Sequence, residues 1–160
     1  MNGYMEEALK EAVLAEAEGE IPVGGVAVME GLVVARGHNR TIGEKDPTAH
    51  AEIQLLREVA RNFGNHRLNE LEIYVTKEPC IMCIGALVQA RVKKVAFGAY
   101  DALRGGVDIY LRYSEKFNHR IVFEPEVEME RCEALLTEFF HKRRGTEAVV
   151  TGSTRNRFSG

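Results

Sequence analysis

"LEIYVTKEPCIMCIGALVQARVKKVAFGA" (Leu71–Ala99) reads as strand, buried helix, strand. Leu71–Thr76 and Val92–Ala99 carry the β-branched and apolar residues of strands. Cys80–Arg91 between them is nearly all apolar, which suits a helix packed on a sheet. Upstream, "VGGVAVM" (Val23–Met29) and "LVVARGHN" (Leu32–Asn39) are separated by Glu30-Gly31, a hairpin signal. Residues 2–18 place Tyr4, Met5, Ala8, Ala12, Val13, Leu14 and Ala15 at roughly helical period, and Gly19 sits where that helix would end. Pro47 sets φ for a helix over Thr48–Arg61. Arg120–Phe123 is a short strand, followed by Pro125. Val127–Arg144 is a closing helix with Leu135, Leu136, Phe139 and Phe140 toward the core.

Strands alternating with helices in this order point to an α/β sandwich, and the opening hairpin makes its sheet mixed. The helices at Thr48 and Cys80 would lie side by side with their N-termini at one sheet edge, where such proteins build sites. The domain is expected over residues 1–144. Residues 145–160, "GTEAVVTGSTRNRFSG", read as a flexible tail.

At 160 residues, with 45% hydrophobic and 28% charged residues, the chain suits one globular domain. No apolar run reaches membrane-spanning length, and the acidic, amphipathic N-terminus lacks the pattern of a signal peptide. The expected location is the cytoplasm. Cys80, Cys83 and Cys132 make an odd number, which argues against a disulfide framework. A formal net charge of −3 is the wrong sign for a protein that coats nucleic acid. A nucleic-acid partner would need a local patch. Lys142, Arg143, Arg144, Arg155 and Arg157 offer one, and a solvated helix end explains them equally well.

Two stretches carry chemistry. "EPCIMC" (Glu78–Cys83) puts Cys80 and Cys83 three apart in the first turn of a helix, on one face. The helix dipole there favours thiolate. "DPTAHAEIQLL" (Asp46–Leu56) puts His50 and Glu52 at the mouth of the other helix. Two thiolates and one imidazole make a three-ligand zinc site with an open fourth position, the mark of a catalytic zinc. A water there ionises near neutral pH, and Glu52 could take its proton without ligating the metal. Other readings exist for the parts. A Cys-x-x-Cys pair serves redox chemistry, or with His50 and Cys132 closes a structural zinc site. A histidine at a helix start is often a cap. The combination is what points to catalysis.

The His-x-Glu … Pro-Cys-x-x-Cys pattern is the known hallmark of zinc nucleobase deaminases, tRNA adenosine deaminases among them. "IPVGGVAV", "GHNRTIGEKDPTAHAEI", "YVTKEPCIMCIGAL", "FGAYDA", "FNHR" and "CEALLTEFFHKRR" follow in the order and spacing of bacterial tRNA-specific adenosine deaminases, which the chain resembles over about residues 4–144. The resemblance implies a cytidine-deaminase-like three-layer α/β/α sandwich with a five-stranded mixed sheet. It implies hydrolysis of the wobble adenosine of a tRNA anticodon to inosine, one zinc per chain, and a homodimer. His50, Cys80 and Cys83 would hold zinc and Glu52 would carry the proton. Asn39 would contact the flipped base, and Asn118 and His119 the anticodon loop. The N–H groups of Ala51 and Cys80 would lie beside the purine or the activated water. Pro22, between Ile21 and Val23, would wall the base or merely start a strand.

The chain departs from the family after Asp101, in "ALRGGVDIYLRYSEK". Leu103 stands in place of a lysine, a Gly-Ser-Leu run is missing, and Tyr100 replaces an arginine or aspartate. Two further functions stay open: a deaminase of a free base or nucleoside (guanine or cytosine), and a non-catalytic zinc module. Glu52 argues against the last.

Overall fold

The computed structural model describes the backbone of residues 3–155 and side chains through Gly145. Five strands form one mixed sheet: β1 (Gly24–Met29), β2 (Leu32–His38), β3 (Glu72–Lys77), β4 (Lys94–Ala99) and β5 (Val122–Glu124). Their order is β2-β1-β3-β4-β5. β1 runs antiparallel to β2 and β3, while β3, β4 and β5 are parallel. The five-stranded mixed sheet expected from the resemblance is present. The hairpin turns at Glu30 (φ 51°) and Gly31 (φ 79°), two successive left-handed residues as a tight twisted turn requires.

Helices α1 (Tyr4–Ala17) and α5 (Met129–Arg155) cover one face, and α2 (Ala51–Phe63) and α3 (Ile81–Gln89) the other. On α1 the buried residues are Met5, Ala8, Leu9, Ala12 and Ala15. Val13 and Leu14, apolar in the sequence pattern, lie exposed, because the face that fits the sheet is narrower than the apolar stretch. Gly24 lets α1 press close: a Cβ there would collide with the backbone of Ala8 and Ala12.

Three expectations shift. Pro47 does not start α2. It sits in a turn closed by Ala49 N–H to Asp46 O and braced by Asp46 Oδ1, which accepts from Thr48 N–H and hydroxyl. The helix begins at Ala51, with His50 as its N-cap. On α5, Cys132 and Leu136 are buried, whereas Phe140 is exposed and packs edge-on against Phe139. That helix also runs through Gly145 to Arg155, past the boundary the sequence suggests at Arg144. The last segment of the sequence, 156–160, lies outside the described residues.

The divergent stretch after Asp101 folds as α4 (Val107–Arg112) and a single 3₁₀ turn (Ser114–Lys116), neither of which periodicity reveals. Tyr110 anchors it. The ring is buried and its hydroxyl donates to His119 O and accepts from Ile121 N–H. Among the described residues no helix is long and apolar enough to cross a membrane.

Candidate active site

The strand directions bring distant parts of the chain to one edge of the sheet. Because β1 is antiparallel to both neighbours, its start at Gly24 lies beside the end of β2 at His38 and near the end of β3. Lys77 at the end of β3 and Glu78 after it, Asp101 after β4, and the N-termini of α2 and α3 converge on the same edge. A cavity of about 400 Å³ opens there.

Its floor holds the expected cluster. His50 and Cys80 are the N-caps of α2 and α3, and neither uses its side chain to cap its helix. Cys83 lies one turn into α3, fully buried. One ligand atom from each of His50, Cys80 and Cys83 lies within 4.8 Å of the others. His50 Nδ1 is 3.6 Å from Cys80 Sγ and 3.5 Å from Cys83 Sγ. Tetrahedral zinc, with Zn–S near 2.3 Å and Zn–N near 2.0 Å, spaces sulfur and nitrogen by about 3.5 Å. The donor set and its spacing therefore fit zinc. Cys132 is not part of the cluster. Its Sγ packs against Gly98 from α5, on the other face of the sheet, so Cys132 is not available as the fourth ligand of a closed site.

Among themselves these groups share protons. The Cys83 thiol hydrogen-bonds Cys80 and, with His50, pulls the Cys80 thiol down to about 4. Cys83 is pushed up strongly, first by Cys80, then by burial and by Glu52. The hydrogen bond to Cys80 raises His50. A soft divalent cation replaces those shared protons when it binds. Glu52, only 4% exposed, lies in the first turn of α2 and lines the cavity. Burial pushes its carboxyl above the ordinary carboxylate range, with Cys83 and His50 pulling the other way.

The remaining expected residues divide. Asn39 lines the cavity, and its Oδ1 accepts the Ala51 N–H at 2.9 Å. That N–H is thus committed to holding Asn39, not to a substrate atom. Pro22 is buried behind the wall, and its neighbours Ile21 and Val23 are the residues that line it. Asn118 and His119 do not join the cavity. They precede β5 at the opposite sheet edge, where Asn118 Oδ1 accepts from Arg91 and His119 Nε2 bonds Val92 O at 2.7 Å. Both fix the turn before β5.

Two acids that sequence reasoning left without a role shape the rim. Glu20, 1% exposed, accepts the N–H groups of Ile42 and Gly43 and holds the loop that carries Thr41. Glu78 accepts from Asp101 N–H and Val107 N–H, so the segment from Asp101 to α4 is tied to the metal helix. Lys77 pairs with Asp101 at 3.0 Å. The signal for Glu78 was its place in "EPCIMC"; Glu20 reads as the last acid of the run Glu16, Glu18, Glu20 and carries no signal of its own.

Comparison with known proteins agrees with this geometry. Residues 1–99, which hold all four site residues, match the family model for the cytidine and deoxycytidylate deaminase zinc-binding region. The chain is 43% identical over 143 residues to the tRNA-specific adenosine deaminase of Bacillus subtilis (strain 168), covering 88% of this chain and 89% of that one. Among solved structures it is similar to one from studies of A-to-I editing by tRNA:A34 deaminases at the wobble position, with TM-score 0.82 and 35% identity, over 85% of this chain and all of that one. It is also similar to a guanine deaminase from Bacillus subtilis, 33% identical over 68% of this chain and 73% of that one, with TM-score 0.59.

Proposed function

This chain belongs to the zinc-binding cytidine and deoxycytidylate deaminases and, within them, to the tRNA-specific adenosine deaminases, and on that footing we propose that it converts the wobble adenosine of a tRNA anticodon to inosine and ammonia. The observation that carries the mechanism is the placing of Glu52 in the wall of the cavity that His50 and Cys80 line, with buried Cys83 clustered beside those two. Zinc held by those three residues would supply a water acidic enough to attack near neutral pH. Glu52 is placed to pass one proton of the attacking water to the ring nitrogen of the base and then the remaining hydroxyl proton to the amine, which leaves as ammonia as the carbonyl forms. Its burial suits a carboxyl that must hold a proton between steps. Asn39, with its oxygen fixed by Ala51, turns its NH₂ toward a purine acceptor, and Ile21 and Val23 give the base an apolar wall. A base reaches this floor only if splayed out of its loop, which suits an anticodon nucleotide better than a paired one.

The RNA is gripped locally, since the chain as a whole is acidic. Arg104 stands at the cavity rim, with Arg112 and Lys116 on the following segment. The identity to the tRNA deaminase of Bacillus subtilis, 43% over 88% of this chain, exceeds that to the Bacillus guanine deaminase, 33% over 68%, and that favours RNA over a free base. A substrate panel tests this. The zinc-loaded protein is expected to deaminate an anticodon stem-loop carrying adenosine at the wobble position, and to leave free adenosine, guanine and cytosine untouched. Turnover of guanine with no action on the stem-loop would replace the reading. tRNA is cytoplasmic, and we place the enzyme there; an exported pool would contradict that.

The chain also works as a homodimer in this reading. Ile81 and Met82 at the start of α3, with Leu103, Ile109, Leu111 and Tyr113 beyond it, are exposed apolar residues beside the site. Sedimentation at micromolar concentration is expected to show a dimer, and Ile109→Glu with Leu111→Glu to yield monomers. A wild-type monomer would remove the dimer.

A further inference from the structure

One side chain fastens the end of β2 to α1. His38 Nδ1 lies 2.7 Å from Glu11 Oε2, and Nε2 lies 2.9 Å from Glu18 Oε2. A neutral imidazole has a single N–H, and an ionised carboxylate only accepts. Both contacts are hydrogen bonds only when both ring nitrogens carry protons. The pair is well sheltered, with the His38 side chain 12% and the Glu11 side chain 13% exposed.

The charges that face the ring are Glu11, on α1, and Glu18, its C-cap. β1 opposes it with Gly24, which has no side chain. The nearest cations along the chain are engaged elsewhere, Arg36 with Glu7 and Arg40 with Glu44. Burial works against the charged ring, but the hydrogen bonds to Glu11 and then Glu18 outweigh it, and His38 holds its proton above the ordinary histidine range. A proton held more tightly in the folded chain stabilises it fully below the unfolded value, about 6.5. That contribution disappears as pH rises through the raised folded value.

The next residue is Asn39. Its N–H donates to Val23 O at 3.0 Å and its Oδ1 accepts from Ala51. The clamp on His38 therefore bears on the wall residue Val23, the asparagine, and the start of α2. We propose that doubly protonated His38 is a positioning residue that holds Asn39 against the incoming base, so that substrate affinity weakens when the ring loses its proton. This inference rests on the reading of Asn39 as a base contact.

The test follows the ring and the kinetics together. In zinc-loaded protein with labelled histidine, the His38 resonance, assigned by its loss in His38→Gln, is expected to titrate above 6.5, the ordinary histidine value. KM for the anticodon stem-loop should rise several-fold across that same range, while kcat shows no bend there. In His38→Gln, KM should be raised at every pH and lose this bend. Glu18→Gln keeps an acceptor but removes a charge. It should move both the ring titration and the KM rise to lower pH, and it spares the more buried Glu11. A ring that titrates at or below its ordinary value overturns the proposal, as does a KM profile that is the same in wild type and Glu18→Gln. Asn39→Ala separates the two layers. Unchanged KM in that variant removes the base-contact reading and the inference with it; raised KM beside a pH-independent wild-type KM removes the inference alone.

Discussion

Replacing Glu52 by glutamine is expected to lower kcat on the anticodon stem-loop by about 10²–10⁴-fold while the protein keeps its zinc and its fold. The carboxyl is almost fully buried, and it is not among the three clustered ligand atoms. Glutamine matches its shape, so the packing around Leu55 and Leu56 is retained. What the amide cannot do is take up a proton and release it. Burial already disfavours the charged carboxyl, so the variant should melt no lower than wild type. Single-turnover kinetics, metal content and thermal unfolding on one preparation check all three statements. Activity within a few-fold of wild type would remove Glu52 from the proton path. Loss of zinc would show instead that Glu52 holds the metal.

Cys83→Ala is expected to abolish activity by a different route, through the metal. The substitution leaves only His50 and Cys80 of the clustered donors. Two ligands hold zinc far less tightly than three, so the variant should emerge from dialysis with little zinc. His50→Ala should behave alike. Cys132→Ala is the control. That sulfur is buried against Gly98 on the opposite face of the sheet, so its loss should affect packing and leave zinc content unchanged. Cys132 lies outside the cluster formed by His50, Cys80 and Cys83, so distance alone keeps it from the metal. Zinc retained in Cys83→Ala, or lost in Cys132→Ala, would redraw the ligand set.

Much of this was legible in the sequence because the decisive residues are local. Cys80 and Cys83 sit three apart, a spacing that shares one helix face, and His50 and Glu52 sit two apart at one helix mouth, so nearness in the chain groups each pair. The Glu30-Gly31 turn announces its hairpin, and the buried β-α-β run announces parallel strands. What stayed hidden depends on where the chain returns. Glu20 and Glu78 look like surface acids until the loops at Ile42 and Asp101 close over them. His38 gains its role from two acids, one on α1 and one capping its C-terminus, twenty and more residues away. Family likeness gave Asn118 and His119 to the anticodon loop; the parallel course of β5 puts them at the far edge of the sheet, away from the cavity. The helix at Val107 was obscured by a short, mixed sequence whose anchor, Tyr110, looks no different from exposed Tyr113.

The central claim is a zinc held by three side chains at two helix N-termini, with a fourth position open to water. Zinc K-edge X-ray absorption on the full-length protein tests it most directly. The expected spectrum has two sulfur ligands near 2.3 Å, one imidazole nitrogen near 2.0 Å and one light oxygen donor. A shell of three or four sulfurs, or protein that binds no zinc, would contradict it.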